Sequence, residues 1–389
     1  MKKWSWLTVV IVGVTLLFSG VAVAKVSGPC VDCHTMHYSQ HGKKPGETGF
    51  PTEPPYDLWT GTEGPYEALL VDSCVGCHSG ATALKGTSNE IPVVLRTTEP
   101  SGTGPEKSLA GGDFYWVANG ADTKGHNVDG VANVDSNLSY DPPGWDASAT
   151  ADNTFGQVTG GNNSDWGSNQ LTCAGMYGCH GDHTETTNAG AIRGAHHGDD
   201  SCLHVPNVDK SKQGQSVATS YRWCGGIHGI EDDDWEWTAS DGSTNHNQYK
   251  GVNGNENYAD KTTISYLCAE CHGQFHSDIG GTSSPWTRHP TDFDMGNASG
   301  SEYQYYNGGS GGTNNYSVIA PVGSSTIGPN PLSTVNAQSA DGTAIVLCIS
   351  CHRAHGTEYD DLLRWDYSTM TAGQSTTPNE GCFICHTTK

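Results

Sequence analysis

Residues 347–356 read LCISCHRAHG. Two residues separate Cys348 from Cys351, a histidine follows at once, and His355 comes three positions after His352. One helical turn brings residues three apart onto one face, so both thiols can reach one edge of a flat ligand while His352 turns its imidazole towards the centre. Covalent attachment of haem c needs that set: a thiol for each vinyl group and a histidine as the first axial ligand of the iron. The spacing alone is shared with zinc sites and redox dithiols.

Repetition separates these possibilities. The same C-x-x-C-H recurs as CVDCH (30–34), CVGCH (74–78), CAECH (268–272) and CFICH (382–386), making five copies with CISCH (348–352). The expected attachment cysteines are therefore Cys30 and Cys33, Cys74 and Cys77, Cys268 and Cys271, Cys348 and Cys351, and Cys382 and Cys385. The proximal ligands are His34, His78, His272, His352 and His386. Zinc and redox pairs rarely repeat in this way behind an export signal.

A sixth segment, LTCAGMYGCHGDH (171–183), keeps the adjacency of Cys179 and His180 but places five residues between Cys173 and Cys179. Glycines near both ends of the insert, Gly175 and Gly178, would let it bulge away and leave both thiols at one porphyrin edge. A local disulfide between the two cysteines is the competing reading. Counting axial ligands favours haem, with His180 as the sixth proximal histidine.

Methionine is too scarce to supply the second axial ligands, and twelve of the eighteen histidines remain for that side. His37, His183 and His355 each follow a proximal histidine by three residues, and His276 follows His272 by four. On a helical turn such pairs share a face and cannot clasp opposite sides of one ring, so each second histidine serves a different haem. His126 in KGHNV and His289, biased to an extended backbone by Pro290, complete six distal candidates for six proximal ones. His196 and His197 are the alternatives to His183. The remaining cysteines, Cys202 and Cys224, have no histidine after them and are expected to form a disulfide, worth on the order of 3 kcal/mol.

The first 24 residues have Lys2 and Lys3, an apolar run and a small-residue end at Ala22-Val23-Ala24, and read as a secretory signal. Residues 25–389 read as one multihaem domain with no membrane span. After loss of the signal, 17 basic residues face 42 acidic ones, a net charge of −25 that opposes nucleic acid and anionic lipid. With 51 glycines and 34% hydrophobic residues, a conventional apolar core is hard to build, so the haems themselves must fill the interior. The expected fold is mostly irregular, organised around a chain of six haems, with short helices at the haem motifs and at Tyr359–Trp365. A few small β-pairs are expected near Gly112–Val117 and Thr343–Cys348.

The islands CVDCHTMHYS (30–39), GGDFYWVANGADTKGHNV (111–128), CHGDH (179–183), SYRWCGGIHG (220–229), LCAECHGQFHS (267–277), TRHP (287–290), LCISCHRAHGTEYDDLLRWDY (347–367) and the closing CFICH resemble the OmcS-type hexahaem cytochromes of bacterial surfaces. They run in that family's order, with divergent polar loops between them. The resemblance implies bis-histidine ligation of all six haems, alternating parallel and T-shaped stacking, and polymerisation into extracellular filaments. It also implies that His37 ligates a haem of the neighbouring subunit. The long spacer of the third site and the pair Cys202 and Cys224 depart from the family's pattern.

The expected function is electron transfer rather than enzymatic catalysis. Electrons would hop along stacked haems in an extracellular or surface filament and leave to redox proteins or external acceptors. A monomeric periplasmic shuttle uses the same motifs. A multihaem reductase would need an open iron site, which six motifs ending in histidine do not offer.

Overall fold

A computed structural model describes residues 74–85, 91–101, 108–145, 166–180, 183, 188, 227–232, 234–253, 260, 262–276, 289–298, 302–308, 313–371 and 380–387. Irregular backbone dominates. The helices are α1 (Cys74–Cys77), α2 (Tyr115–Ala118), α3 (Ile264–Ala269) and α4 (Gly273–His276), with several single 3₁₀ turns. The strands pair only in twos. The β1 strand (Ser79–Gly80) lies parallel to β4 (Leu95–Arg96), and β2 (Leu84–Lys85) forms a hairpin with β3 (Ile91–Pro92). The β5 strand (Thr172–Ala174) runs parallel to β6 (Gly178–His180), and β7 (Gly229–Ile230) pairs with β8 (Gln248–Tyr249). The antiparallel pairs β9 (Phe293–Asp294) with β12 (Ile345–Val346) and β10 (Asn314–Asn315) with β11 (Thr334–Val335) tie distant segments together.

The haem motifs locate most of the regular structure. In each described C-x-x-C-H, the histidine N–H donates to the carbonyl of the first cysteine: 2.9 Å for His78 to Cys74, 3.0 Å for His272 to Cys268, 3.2 Å for His352 to Cys348 and 2.9 Å for His386 to Cys382. One helical turn thus closes all four. The turn is strongest in α3, where Thr263 in an extended conformation caps the start and its hydroxyl accepts from the Tyr266 N–H at 3.1 Å.

Three expectations need correction. Residues Gly112–Val117 were expected to pair as a strand; instead only Gly112 bridges to Gly356, and α2 begins at Tyr115. The Asp113 carboxylate accepts from the Tyr115 N–H at 2.9 Å, which starts a helix in place of the expected pair. Between Tyr359 and Trp365 only one 3₁₀ turn forms, Asp360–Leu362, because Asp361 and Leu362 adopt φ of 56° and 58°, which no helix continues. Residues 352–355 form no helical turn either: His352 sits in an antiparallel bridge with Leu363. The strand expected at Thr343–Cys348 is present as β12.

No single apolar core exists among the described residues; small clusters lie beside the haem motifs. Ile264, Leu267, Ile345, Leu347 and Ile349 join the motifs at Cys268 and Cys348. Trp166, Tyr266 and Ala269 gather Tyr177 and Cys271, linking the third motif to the fourth. The largest cluster, around Tyr306, Tyr316 and Val322, packs against Cys351, Cys382 and Cys385.

Candidate haem-binding sites

Three pairs of imidazoles face one another. The ring centres of His126 and His272 are 6.1 Å apart, those of His180 and His355 are 6.1 Å apart, and those of His289 and His386 are 5.9 Å apart. A metal held between two imidazoles at about 2 Å from each nitrogen, with each ring centre roughly 1 Å further out, separates the centres by about 6 Å. Each pair joins a proximal candidate to a distal one distant in sequence. The donor sets therefore fit bis-histidine haem iron.

Hydrogen bonds orient these rings. The Nδ1 atoms of His126, His272, His289 and His352 meet the carbonyl oxygens of Ala354 at 2.5 Å, Pro143 at 2.7 Å, Pro290 at 2.9 Å and Asp361 at 2.7 Å. His78 Nδ1 meets Pro92 O at 2.8 Å. A carbonyl can only accept, so Nδ1 carries the proton and donates, leaving the Nε2 lone pair for a metal. Burial also lowers the imidazole pKa values, to about 4 for His272 and about 3 for His355, and holds the rings in the neutral, ligating form at pH 7.

His246 shows the contrast. It is fully buried, stacks on Tyr316 with ring centres 3.7 Å apart, and turns Nδ1 to Asn247 O at 2.7 Å and Nε2 to Leu332 O at 3.0 Å. With both nitrogens committed, it is a structural histidine.

The third site closes by a different route from the others. Thr172 pairs with Gly178 and Ala174 with His180 in parallel register, so Cys173 lies directly beside Cys179 and on the same face. Two strands joined by three residues cannot be an ordinary parallel pair. Residues 174–178 instead make one tight loop, with Gly175 at φ 88° and its N–H donating to His180 O at 2.9 Å. A Cβ on Gly178 would come within 2.6 Å of Ala174 N. The five-residue spacer is thus wound up until its thiols stand about 5 Å apart in backbone terms, a separation set by strand spacing. No disulfide joins them; both are free thiols.

Thiols of successive sites also meet. Cys74 and Cys173 are hydrogen-bonded, as are Cys268 and Cys348. Cys179 lies within electrostatic reach of Cys271, and Cys351 within that of Cys385. Burial pushes the Cys179 thiol up to about 11 and Cys351 to about 12, so these sulfurs stay uncharged, as a thioether does. From the second to the sixth, the attachment sites follow one another in space as they do in sequence.

Residues that motif spacing alone does not reveal hold the ligands in place. Gly111 lies against the His355 ring, where a Cβ would be 2.9 Å from Cε1 and Nδ1, and Phe114 covers that ring at 4.8 Å. Tyr303 sets its edge against His386 at 5.0 Å. His183 is buried, with Nδ1 2.8 Å from Glu270 Oε2 and Nε2 3.4 Å from Cys179 O. His276 ends α4, and Cys77 ends α1. Cys30, Cys33, His34, His37, His196, His197, the expected disulfide of Cys202 with Cys224 and the signal at 1–24 lie outside the described residues. No described helix is long and apolar enough to cross a membrane.

A doubled CXXCH motif family matches residues 340–389, the segment holding the last two attachment sites. The chain is 26% identical over 407 aligned positions to the C-type cytochrome OmcS of Geobacter sulfurreducens, covering 94% of this chain and 86% of that protein. Two solved structures from the same organism align with it. The outer membrane cytochrome S filament does so at 20% identity and TM-score 0.41, covering 88% of this chain and 85% of that one. The OmcS nanowire solved by cryo-EM does so at 20% identity and TM-score 0.40, covering 87% and 84%.

Proposed function

We propose that this multihaem c-type cytochrome of the OmcS type carries six covalent haems in one unbroken row and joins end to end with copies of itself, passing electrons from a cell surface to acceptors outside. Haem c, once attached, supplies an iron that cycles between ferric and ferrous states while keeping its ligands. The chain supplies position. Its cysteine pairs fix each porphyrin edge, its paired imidazoles fix each iron, and its carbonyls aim the imidazoles.

The observation that carries this reading is the set of three imidazole pairs at 5.9 to 6.1 Å, each joining a C-x-x-C-H or Cys-His histidine to one distant in sequence. Irons held by two protein ligands have no position left for a substrate, which supports conduction over catalysis. The remaining haems are assigned to Cys30 and Cys33 with His34, to Cys74 and Cys77 with His78, and to Cys348 and Cys351 with His352. Their distal ligands are drawn from His37, His183 and His276. The role assigned to His37, a ligand reaching a haem of the neighbouring subunit, is supported by the resemblance of CVDCHTMHYS to the OmcS-type cytochromes. The relatives' solved filaments and the signal-like residues 1–24 support an exported polymer.

Intact mass and electron microscopy of the secreted protein test the reading together. The expected mass is that of residues 25–389 with six haems, and the expected images are filaments. Five haems would return Cys173 and Cys179 to the disulfide reading, and discrete particles at every concentration would overturn polymerisation.

A further inference from the structure

Two buried donors beside the second attachment motif find no acceptor among the described residues. They are Nη2 of Arg96 and Nε1 of Trp235, in residues 8% and 9% exposed. A buried N–H without an acceptor loses its hydration uncompensated, and the loss is larger for a charged group. Arg96 ends β4, which runs parallel to β1 just after His78 and sets Arg96 opposite Gly80. Its backbone N–H and its Nε both donate to the Asp113 carboxylate, at 3.2 and 2.8 Å, and Asp113 is 1% exposed. The planar guanidinium is held at that edge, which fixes the direction of Nη2.

Trp235 reaches the same neighbourhood from a distant segment. Its ring packs with Ala83 and Leu109, and its carbonyl accepts from the Ala110 N–H at 2.9 Å. Its φ is 57° and that of Glu236 is 70°, a left-handed backbone that bulky residues avoid. Strain of this kind persists only where the surroundings over-determine it, and it clusters at binding sites. Residues 109–114 connect the two donors, because the Phe114 N–H donates to Val94 O at 2.8 Å.

We propose that Arg96 and Trp235 form a carboxylate-binding site that holds the propionate side chains of the haem attached at Cys74 and Cys77. The inference rests on the assignment of a haem to that cysteine pair. Haem c carries two carboxylates on the edge remote from its thioether bonds, and carboxylates are ionised at pH 7. An ionised carboxylate offers acceptors alone, which is what a guanidinium arm and an indole N–H require. A cation is not a candidate occupant, since both groups are donors and one is positively charged. The planar fork of Arg96 can serve Asp113 through Nε and a second carboxylate through Nη2, a bridging geometry that an ammonium lacks. The cysteines fix one edge of the porphyrin and His78 its centre; Arg96 and Trp235 would fix the opposite edge, and with it the rotation of the ring. Asp113 also donates its N–H to Gly356 O at 3.0 Å, so the site is tied to the backbone that carries His355.

Resonance Raman spectra and intact masses of the full-length secreted holoprotein test this. The propionate bending band reports hydrogen bonding to haem carboxylates. Arg96→Gln and Trp235→Phe should each shift one component of that band while the mass shows every haem retained. Arg96→Lys, which keeps the charge without the fork, should restore the Arg96 component only in part. Trp235→Phe preserves the packing ring and covers the case in which Arg96→Gln fails to fold for want of a partner to Asp113. Bands of Arg96→Gln and Trp235→Phe that superimpose on wild type, with every haem retained, would overturn the site. A wild-type peptide mass showing Cys74 and Cys77 without haem would instead overturn the assignment on which it rests.

Discussion

The backbone N–H of His126 donates to the carbonyl of His355 at 3.2 Å, so the residues whose rings oppose His272 and His180 are joined through their main chains. The two come from islands more than two hundred residues apart in sequence. Three further contacts complete the knot: His355 N–H to Gly111 O at 2.7 Å, Asp113 N–H to Gly356 O at 3.0 Å and Thr357 N–H to Lys124 O at 2.9 Å. Spacing between the two imidazole pairs is therefore fixed by backbone rather than by side-chain packing.

Gly356 is the point on which that knot turns. A Cβ there would lie 2.6 Å from Lys124 O and 2.7 Å from Asp113 O, both immovable backbone atoms. Gly356→Ala should lower stability by about 1–3 kcal/mol, the usual range for overpacking, and perturb two haems at once. Thermal melting and the electron paramagnetic resonance spectrum would check this, and an unchanged pair of signals would contradict the shared platform.

Histidines of two kinds should respond differently to removal. His355→Ala takes away the ring facing His180 and should produce one high-spin haem. His246→Ala should leave every haem low-spin and cost about 1–3 kcal/mol through unpaired buried carbonyls. The visible spectrum separates the two variants without any electron-transfer assay.

The third site depends on a loop that tolerates no side chain at Gly178. Gly178→Val would force Cys173 and Cys179 apart, and the secreted protein should weigh one haem less than wild type. Retention of all haems would show that the thiols can find a porphyrin without this loop.

Acid should remove ligands in a defined window. Burial lowers the pKa of His272 to about 4 and of His355 to about 3, beneath the usual imidazole value of about 6.5. A depressed folded-state pKa contributes stability that is complete above the unfolded value and lost as pH falls through the folded one. The contribution of these two rings to folding should be complete above about pH 6.5 and fall away by about pH 3 to 4, which chemical denaturation at graded pH checks. Asp232, pushed up to about 7 by burial, acts on overall stability in the opposite sense. Its raised pKa gives stability that is lost as pH rises towards 7.

His37→Ala should retain every covalent haem, abolish filaments and create one high-spin haem. Negative-stain images and intact mass of the variant decide it, and normal filaments would exclude an inter-subunit ligand.

Much of this was legible in the sequence, and what was not has physical reasons. Cysteine and histidine spacing reports a single helical turn, which is local, and the structure closes that turn in four of the motifs. The pairing of His126 with His272, or His289 with His386, depends on where backbone carbonyls such as Pro143 O and Ala354 O fall after folding, and no local pattern encodes that. At Asp113 a side-chain acceptor starts a helix where a β-pair was expected, and at Asp361 and Leu362 positive φ interrupts the expected helix.

The pairing of His180 with His355 has a consequence for the order of folding. The third motif cannot gain its opposing ring until the segment that follows the fifth motif has come to rest against it, and the same segment is tied to residues 111–126. Local turns can close as each motif appears, but the imidazole pairs close late and together, so the last hundred residues act as the clasp of the whole row.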